Sequence, residues 1–173
     1  MMQLFGITGW KNSGKTTLVV KLVEILRGRG YSVSTLKHAH HNFDIDLPGT
    51  DSYKHRQAGA GEVAIVSANR WAIMHELSDE AEPDMQAMLA KMTPVDLILV
   101  EGFKRHNHPK LQAIRTANNT QPLPTSSHNL VALAADAEIC AADYACDGPV
   151  FNLDEPETIA DFIVAHCQLR LLP

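Results

Sequence analysis

Cysteine is scarce in this chain. There are three in 173 residues, Cys140, Cys146 and Cys167, an odd number with no C-x-x-C spacing. That excludes a disulfide framework and a closed zinc finger, and it fits reduced thiols in a reducing compartment. All three are expected as small buried apolar side chains. No apolar run approaches the length of a membrane span, and the opening stretch MMQLFGIT has no basic leader segment. The expectation is a soluble, cytoplasmic protein with no membrane partner. Positive charge is short as well. The net charge of -5 argues against a nucleic-acid partner. The charge is unevenly spread: residues 1–75 hold nine Lys or Arg against five Asp or Glu, and residues 76–173 hold six against fifteen. A basic half gathered around one site suits a small phosphorylated ligand.

Repeats and low-complexity linkers are also missing. With 45% hydrophobic and 20% charged residues, the chain is an ordinary globular one, long enough to bury a core as a single domain over 1–173. Gln3–Thr8 is an apolar run without polar alternation, as in a strand covered on both faces. From Thr16 to Arg29 apolar residues recur at helical spacing (Leu18, Leu22, Ile25, Leu26), and Gly30 follows as a stop. Tyr31–Lys37 is a second strand, which completes a βαβ unit. His38–Ser52 is a long polar loop. A short helix over Ser52–Ala58 is expected next, capped by Asp51 or Ser52.

Glu62–Ser67 and Trp71–Leu77 read as a hairpin, and Pro83–Met92 as a helix with a methionine stripe toward the core. Val95–Phe103 is the most hydrophobic strand and is expected to be central. Lys110–Arg115, Leu130–Ala135 and Pro149–Leu153 are further strands, and Glu155–Leu169 is a closing helix with Ile159, Phe162, Ile163 and His166 on its inner face. The alternation gives an α/β class: three layers, a mostly parallel central sheet and an added hairpin.

Between the first strand and the first helix stands GWKNSGKTTL, Gly9–Leu18. A polyphosphate needs several N–H donors aimed at one point. Glycines permit the tight wrap, and a helix start adds unpaired N–H groups and the positive dipole end. The G-x-x-x-x-G-K-[ST] spacing of a P-loop is complete here. Gly9, Asn12, Ser13, Gly14, Lys15, Thr16 and Thr17 are the candidate phosphate ligands, and Thr16 is a candidate ligand of Mg²⁺. A second metal-side oxygen is expected at the carboxyl end of a neighbouring strand. In VDLILVEGF, Asp96 and Glu101 lie five residues apart, about 16 Å at strand rise, so only Glu101 can serve, through a water. Asp96 then reads as a solvated residue at the strand start.

Asp44, Asp46 and Asp51 in the polar loop are candidates for positioning water, and Asp46 is carried forward as the catalytic candidate beside Lys15 and Glu101. His38, His40 and His41 with those acids offer an alternative transition-metal site. Lys104, Arg105 and Lys110, with His106 and His108 between them, are expected over the phosphate end.

GWKNSGKTTL, LKHAHHNFDIDLPGTDSYKHRQAGA and VDLILVEGFK together resemble the molybdopterin-guanine dinucleotide biosynthesis protein B family. The resemblance implies a GTP-binding protein with weak Mg²⁺-dependent GTPase activity, of the SIMIBI branch of P-loop NTPases. It also implies a homodimer that serves as adaptor to the molybdopterin guanylyltransferase, with molybdopterin as a further partner. Many proteins of that branch carry a second P-loop lysine where Trp10 stands here, which leaves Lys11 as the extra lysine. The usual guanine reader N/T-K-x-D is absent, and Asp136, after LVALAA, stands as a candidate for the guanine N–H groups or as a turn cap. A small-molecule kinase with Asp44 or Asp46 as base is the competing enzyme reading, and an interaction module with a vestigial nucleotide site is the third.

Overall fold

The computed structural model describes residues 2–39, 43–118, 121–124 and 129–171. In chain order the elements are β1 (Gln3–Thr8), α1 (Lys15–Gly28), β2 (Val33–Lys37), α2 (Asp51–Gln57), β3 (Glu62–Val66), β4 (Trp71–His75), α3 (Met85–Ala90), β5 (Leu97–Glu101), β6 (Lys110–Ile114), β7 (Leu130–Ala135), β8 (Val150–Asn152) and α4 (Pro156–His166). Contacts gather into two compact units, Met1–His38 with Met92–Pro173, and Ala39–Lys91.

The larger unit is built on a six-stranded sheet in the order β2-β5-β1-β6-β7-β8. Every neighbouring pair is parallel. Side chains alternate across a strand, so Phe5, Ile7, Leu97, Leu99, Leu111 and Ala113 share one face. They pack there against Leu18, Leu22 and Leu26 of α1 and Ile159 and Ile163 of α4. Full burial of each such aliphatic group contributes roughly 1.5–3 kcal/mol. The other face is also closed: Ile98, Val100, Ile114 and Leu133 are fully buried, and the 3₁₀ turn Ala141–Tyr144 packs its apolar side chains beside Ile114 and Leu133. Two buried faces are why these strands read as unbroken apolar runs. β5 inserts between β1 and β2, so the chain leaves β1 toward one side of the sheet and later returns to its other side as β6. The crevice at the carboxyl end of β1 is therefore a topological switch point, where α/β sheets bind ligands.

The smaller unit holds the antiparallel β3–β4 hairpin, with Val63 paired to Met74 and Val66 to Trp71, and the helices α2 and α3. Thr50 caps α2 by accepting from the Tyr53 N–H, one position before the expected Asp51. Asp84 caps α3. Met85 and Leu89 form the buried side of that helix.

Several expectations need correction. Asp96 is not simply solvated. Its Oδ2 accepts from Ser32 N at 2.7 Å and Ser32 Oγ at 2.6 Å, and its own N–H donates to Ser32 Oγ at 2.9 Å. The Ser32 hydrogen bonds hold its pKa below the usual carboxylate range. Cys146 and Cys167 are buried as expected, whereas Cys140 is exposed. His166 is exposed at the rim of α4 and stacks on Phe162, 5.4 Å between ring centres. No helix among the described residues is long and apolar enough to cross a membrane.

Candidate functional site

The loop from Gly9 to Gly14 takes its shape from backbone angles few residues adopt. Gly9 has φ 144°, Asn12 φ 62° and Gly14 φ 86°. A Cβ on Gly9 would sit 2.5 Å from the Ala113 carbonyl oxygen and 2.6 Å from Ser13 Oγ. Gly14 is the N-cap of α1, without a side-chain cap and with no acid in the first helical turn. The first N–H groups of α1 are thus left for an outside acceptor, with the positive end of the helix dipole behind them. A cavity of about 360 Å³ opens there, lined by the loop from Asn12 to Thr17 and by Arg115.

Lys15 and Thr16 line this cavity, and Glu101 reaches Thr16 from the end of β5. Lys15 Nζ is folded back onto the loop and donates to the Trp10 carbonyl at 2.5 Å. Burial, and then the nearby Lys104 and Lys37 ammoniums, hold its pKa below the ordinary lysine value, against the pull of Glu101. Thr16 Oγ1 donates to Glu101 Oε1 at 2.9 Å. This hydroxyl and carboxylate, side by side at the P-loop lysine, are hard oxygen donors of the kind Mg²⁺ takes, so the residues fit that ion. Glu101 is nearly buried and carries an ion pair from Lys37 at 3.3 Å. Lys37 had no place in the motif reading. Its role comes from the register that pairs it with Glu101.

The loop after β5 turns sharply at Gly102 (φ 96°) and Phe103 (φ 44°). Phe103 is buried between the rings of His38, at 4.8 Å, and His106, at 4.9 Å. Lys104 Nζ then lies 4.2 Å from the centre of the Trp10 ring, and burial lowers its pKa. Two contacts from beyond β6 hold the P-loop from outside. Trp10 Nε1 donates to the Gln121 carbonyl at 2.6 Å, and Asn118 Nδ2 to the Asn12 carbonyl at 2.7 Å. Lys11 is exposed.

Two of the basic residues expected over the phosphates are elsewhere. Lys110 is the first residue of β6, fully buried, and its ammonium donates to the carbonyls of His106 and Lys104. Burial pushes its pKa down to about 8. His108 is buried and held neutral, its pKa lowered to about 4 by burial first and by Lys110 second. Lys110 thus ties the loop from within. Asp136 accepts from the N–H of Thr116 at 2.9 Å and its hydroxyl at 3.1 Å, so here it caps a turn. Arg115 pairs loosely with it at 3.6 Å, and with Asp154 at 3.7 Å.

In the smaller unit, Arg56 is a hub. It binds Asp46 through both carboxylate oxygens, at 2.7 and 3.2 Å, Asp44 at 2.8 Å and Glu76 at 3.0 Å. Hydrogen bonds from Arg56 hold the Asp46 pKa low. Asp51 lies on α2 with Lys54 at 3.7 Å. Among the described residues no group of three or more His, Cys, Asp or Glu is arranged to hold a metal ion; His40 and His41 of the proposed histidine site lie outside them. The hairpin exposes Val66, Trp71 and Ile73, and the segment before α2 exposes Phe43, Ile45 and Leu47.

Comparison with known proteins extends beyond the site. Residues 4–136 match the family described as molybdopterin guanine dinucleotide synthesis protein B. The chain is 37% identical over 172 residues to the molybdopterin-guanine dinucleotide biosynthesis adapter protein of Escherichia coli K12, covering 97% of this chain and 95% of that one. It is 38% identical over 160 residues to the protein of the same description from Haemophilus influenzae, covering 92% and 86%. Among solved structures it superposes on Bacillus subtilis MobB with a TM-score of 0.75 at 23% identity, over 97% of this chain and 98% of that one. A crystal structure of molybdopterin-guanine biosynthesis protein B matches with a TM-score of 0.70 at 25% identity, over 94% and 99%.

Proposed function

This chain belongs to the molybdopterin guanine dinucleotide synthesis protein B family, and from that premise we propose that it is the adapter of molybdopterin guanine dinucleotide formation, a cytoplasmic protein that binds Mg²⁺·GTP and hydrolyses it slowly. The observation that carries the reading is the Thr16–Glu101 contact of 2.9 Å at the mouth of an uncapped helix start beside Lys15. With a nucleotide bound, the amides of Asn12 to Thr17 would wrap the phosphates, Lys15 would leave the Trp10 carbonyl for the phosphate oxygens, and Thr16 and Glu101 would hold the ion, Glu101 through a water. When bound, Mg²⁺ neutralises charge on the transferring phosphoryl group. The chain's own part is to orient that group and keep the loop closed. Guanine preference rests on the family, since the Asp136 carboxylate is taken up by Thr116 and Arg115.

Slow turnover fits a site whose water-positioning group comes from a partner. The partner we propose is the molybdopterin guanylyltransferase, with molybdopterin itself as a further ligand. The exposed apolar hairpin supports a homodimer, which sedimentation would detect. The kinase reading is weaker: its candidate base, Asp46, has both oxygens committed to Arg56, and a carboxylate held ionised by an arginine is a poor proton acceptor. The test is calorimetric titration of GTP and ATP with Mg²⁺, followed by hydrolysis assays with molybdopterin and with the transferase added. Stimulation by either supports the adapter. Phosphoryl transfer to a small molecule would replace it with the kinase.

A further inference from the structure

The end of β2 brings to the phosphate site a cation that the P-loop motif does not contain. Lys37 and Ile7 are both register partners of Glu101, one on each neighbouring strand. Register partners in a sheet point to the same face about 4.8 Å apart, so Lys37 and Glu101 leave the carboxyl edge together. Lys37 Nζ lies 3.3 Å from Glu101 Oε1, the same oxygen that accepts from Thr16 Oγ1 at 2.9 Å. The two ends of this ion pair differ in freedom. The Glu101 side chain is 11% exposed, whereas that of Lys37 is 58% exposed on a flexible four-carbon stem. The carboxylate is fixed and the ammonium can swing.

Lys15 gives an independent bearing, because its ammonium feels both Lys37 and Lys104. Lys37 and Lys104 thus both lie close enough to the Lys15 ammonium to bear on it, an excess of positive charge that a polyphosphate would neutralise. A divalent cation held by Thr16 and, through its bound water, by Glu101 would compete with Lys37 for Oε1, since the metal-bound water needs that acceptor and the metal repels the ammonium. The displaced ammonium would then be free to pair with the terminal phosphoryl group of the incoming metal complex.

We propose that Lys37 occupies the metal's side of Glu101 in the nucleotide-free protein and transfers to the terminal phosphoryl group when a metal–triphosphate complex binds, so that it distinguishes triphosphate from diphosphate. The inference rests on the nucleotide reading of the loop given above. It makes Lys37 a specificity-determining residue, coupled to metal occupancy through Glu101.

The test is calorimetry with GTP and GDP, each with and without Mg²⁺, on the wild type, Lys37→Met, Lys37→Arg and Lys15→Ala. Mn²⁺ affinity of the GDP complex is read in parallel by electron paramagnetic resonance. Lys37→Met is expected to lose tenfold or more in affinity for Mg²⁺·GTP and less than threefold for GDP. It is also expected to bind Mn²⁺ more tightly in the GDP complex, because Glu101 is released. Lys37→Arg, which keeps the charge, should restore most of the triphosphate preference. Equal losses for both nucleotides, an unchanged preference, or unchanged or weaker Mn²⁺ binding in Lys37→Met would overturn the proposal. If the wild type binds neither nucleotide, or Lys15→Ala binds both as the wild type does, the loop reading itself fails, which is a different result from failure at Lys37 alone.

Discussion

Lys104 Nζ stands 4.2 Å from the centre of the Trp10 ring, so a cation from the loop after β5 rests on the second residue of the P-loop. The same indole donates to the Gln121 carbonyl at 2.6 Å. Trp10 thereby ties together two loops that approach the phosphate cavity from opposite sides of β1. A cation over an indole gains about 0.5–2 kcal/mol, enough to hold Lys104 in place but small beside a charge-assisted bond to phosphate. Trp10→Ala is expected to weaken triphosphate binding by roughly three- to tenfold, since about 1 kcal/mol of loop ordering is lost. With Trp71→Phe, Trp10 becomes the one tryptophan left of two, and its fluorescence should change on nucleotide addition as Lys104 leaves the ring. A spectrum unmoved by saturating nucleotide would separate Trp10 from the site.

Lys15 carries a prediction in pH. Its pKa is held below the ordinary lysine value, yet it must be charged to bind phosphate. Bound phosphate favours the ammonium, so binding raises this pKa and takes up protons. Affinity should therefore be full below the free-protein pKa and fall as pH rises through it, at a lower pH than an unperturbed lysine would allow. Calorimetry between pH 7 and 9.5, in buffers of different ionisation enthalpy, reads that proton uptake directly. In Lys15→Ala the uptake attributed to this group should vanish and triphosphate affinity should drop at least tenfold.

Glu101→Gln keeps the shape of the side chain and an acceptor for the Thr16 hydroxyl, but removes the charge that attracts metal and Lys37. Nucleotide binding without Mg²⁺ should change little. Mg²⁺-dependent hydrolysis should fall by a factor of about 10–100, and the Mg²⁺ concentration for half-maximal rate should rise. Wild-type rates at limiting Mg²⁺ would remove Glu101 from the metal's side.

The reach of the sequence follows from how local each feature is. The P-loop was legible because its determinants are consecutive: Gly9, Gly14, Lys15 and Thr16 act through their own backbone and neighbours. Glu101 was legible because a strand has one carboxyl end. Lys37 was not, because its meaning depends on strand register with a residue 64 positions away. Lys110 and His108 were misplaced because basic residues beside the P-loop read as phosphate ligands. The strand does begin at Lys110 as expected, but its ammonium is buried and satisfies carbonyls of the turn before it. Asp96 failed similarly: a carboxylate at a strand start looks idle until β2 brings Ser32 against it.

Arg56 offers a prediction that separates structure from chemistry at Asp46. The Asp46 side chain is 3% exposed and that of Arg56 11%. Removing the arginine leaves a buried carboxylate without its counter-charge, whereas Asp46→Asn removes the charge and leaves Arg56 with Asp44 and Glu76. Thermal unfolding should therefore fall further in Arg56→Ala than in Asp46→Asn. Hydrogen bonds from Arg56 hold the folded pKa of Asp46 below the usual carboxylate value. The stability it contributes is then present above the unfolded carboxylate pKa and lost as pH falls through the folded one. The wild type should lose melting temperature as pH falls below the ordinary carboxylate range, and Asp46→Asn should show a shallower slope there. If Asp46 acts through Arg56 on the fold alone, Asp46→Asn assayed at a temperature where it is fully folded will retain wild-type basal hydrolysis. A large loss of rate under those conditions would restore Asp46 as a participant in the chemistry.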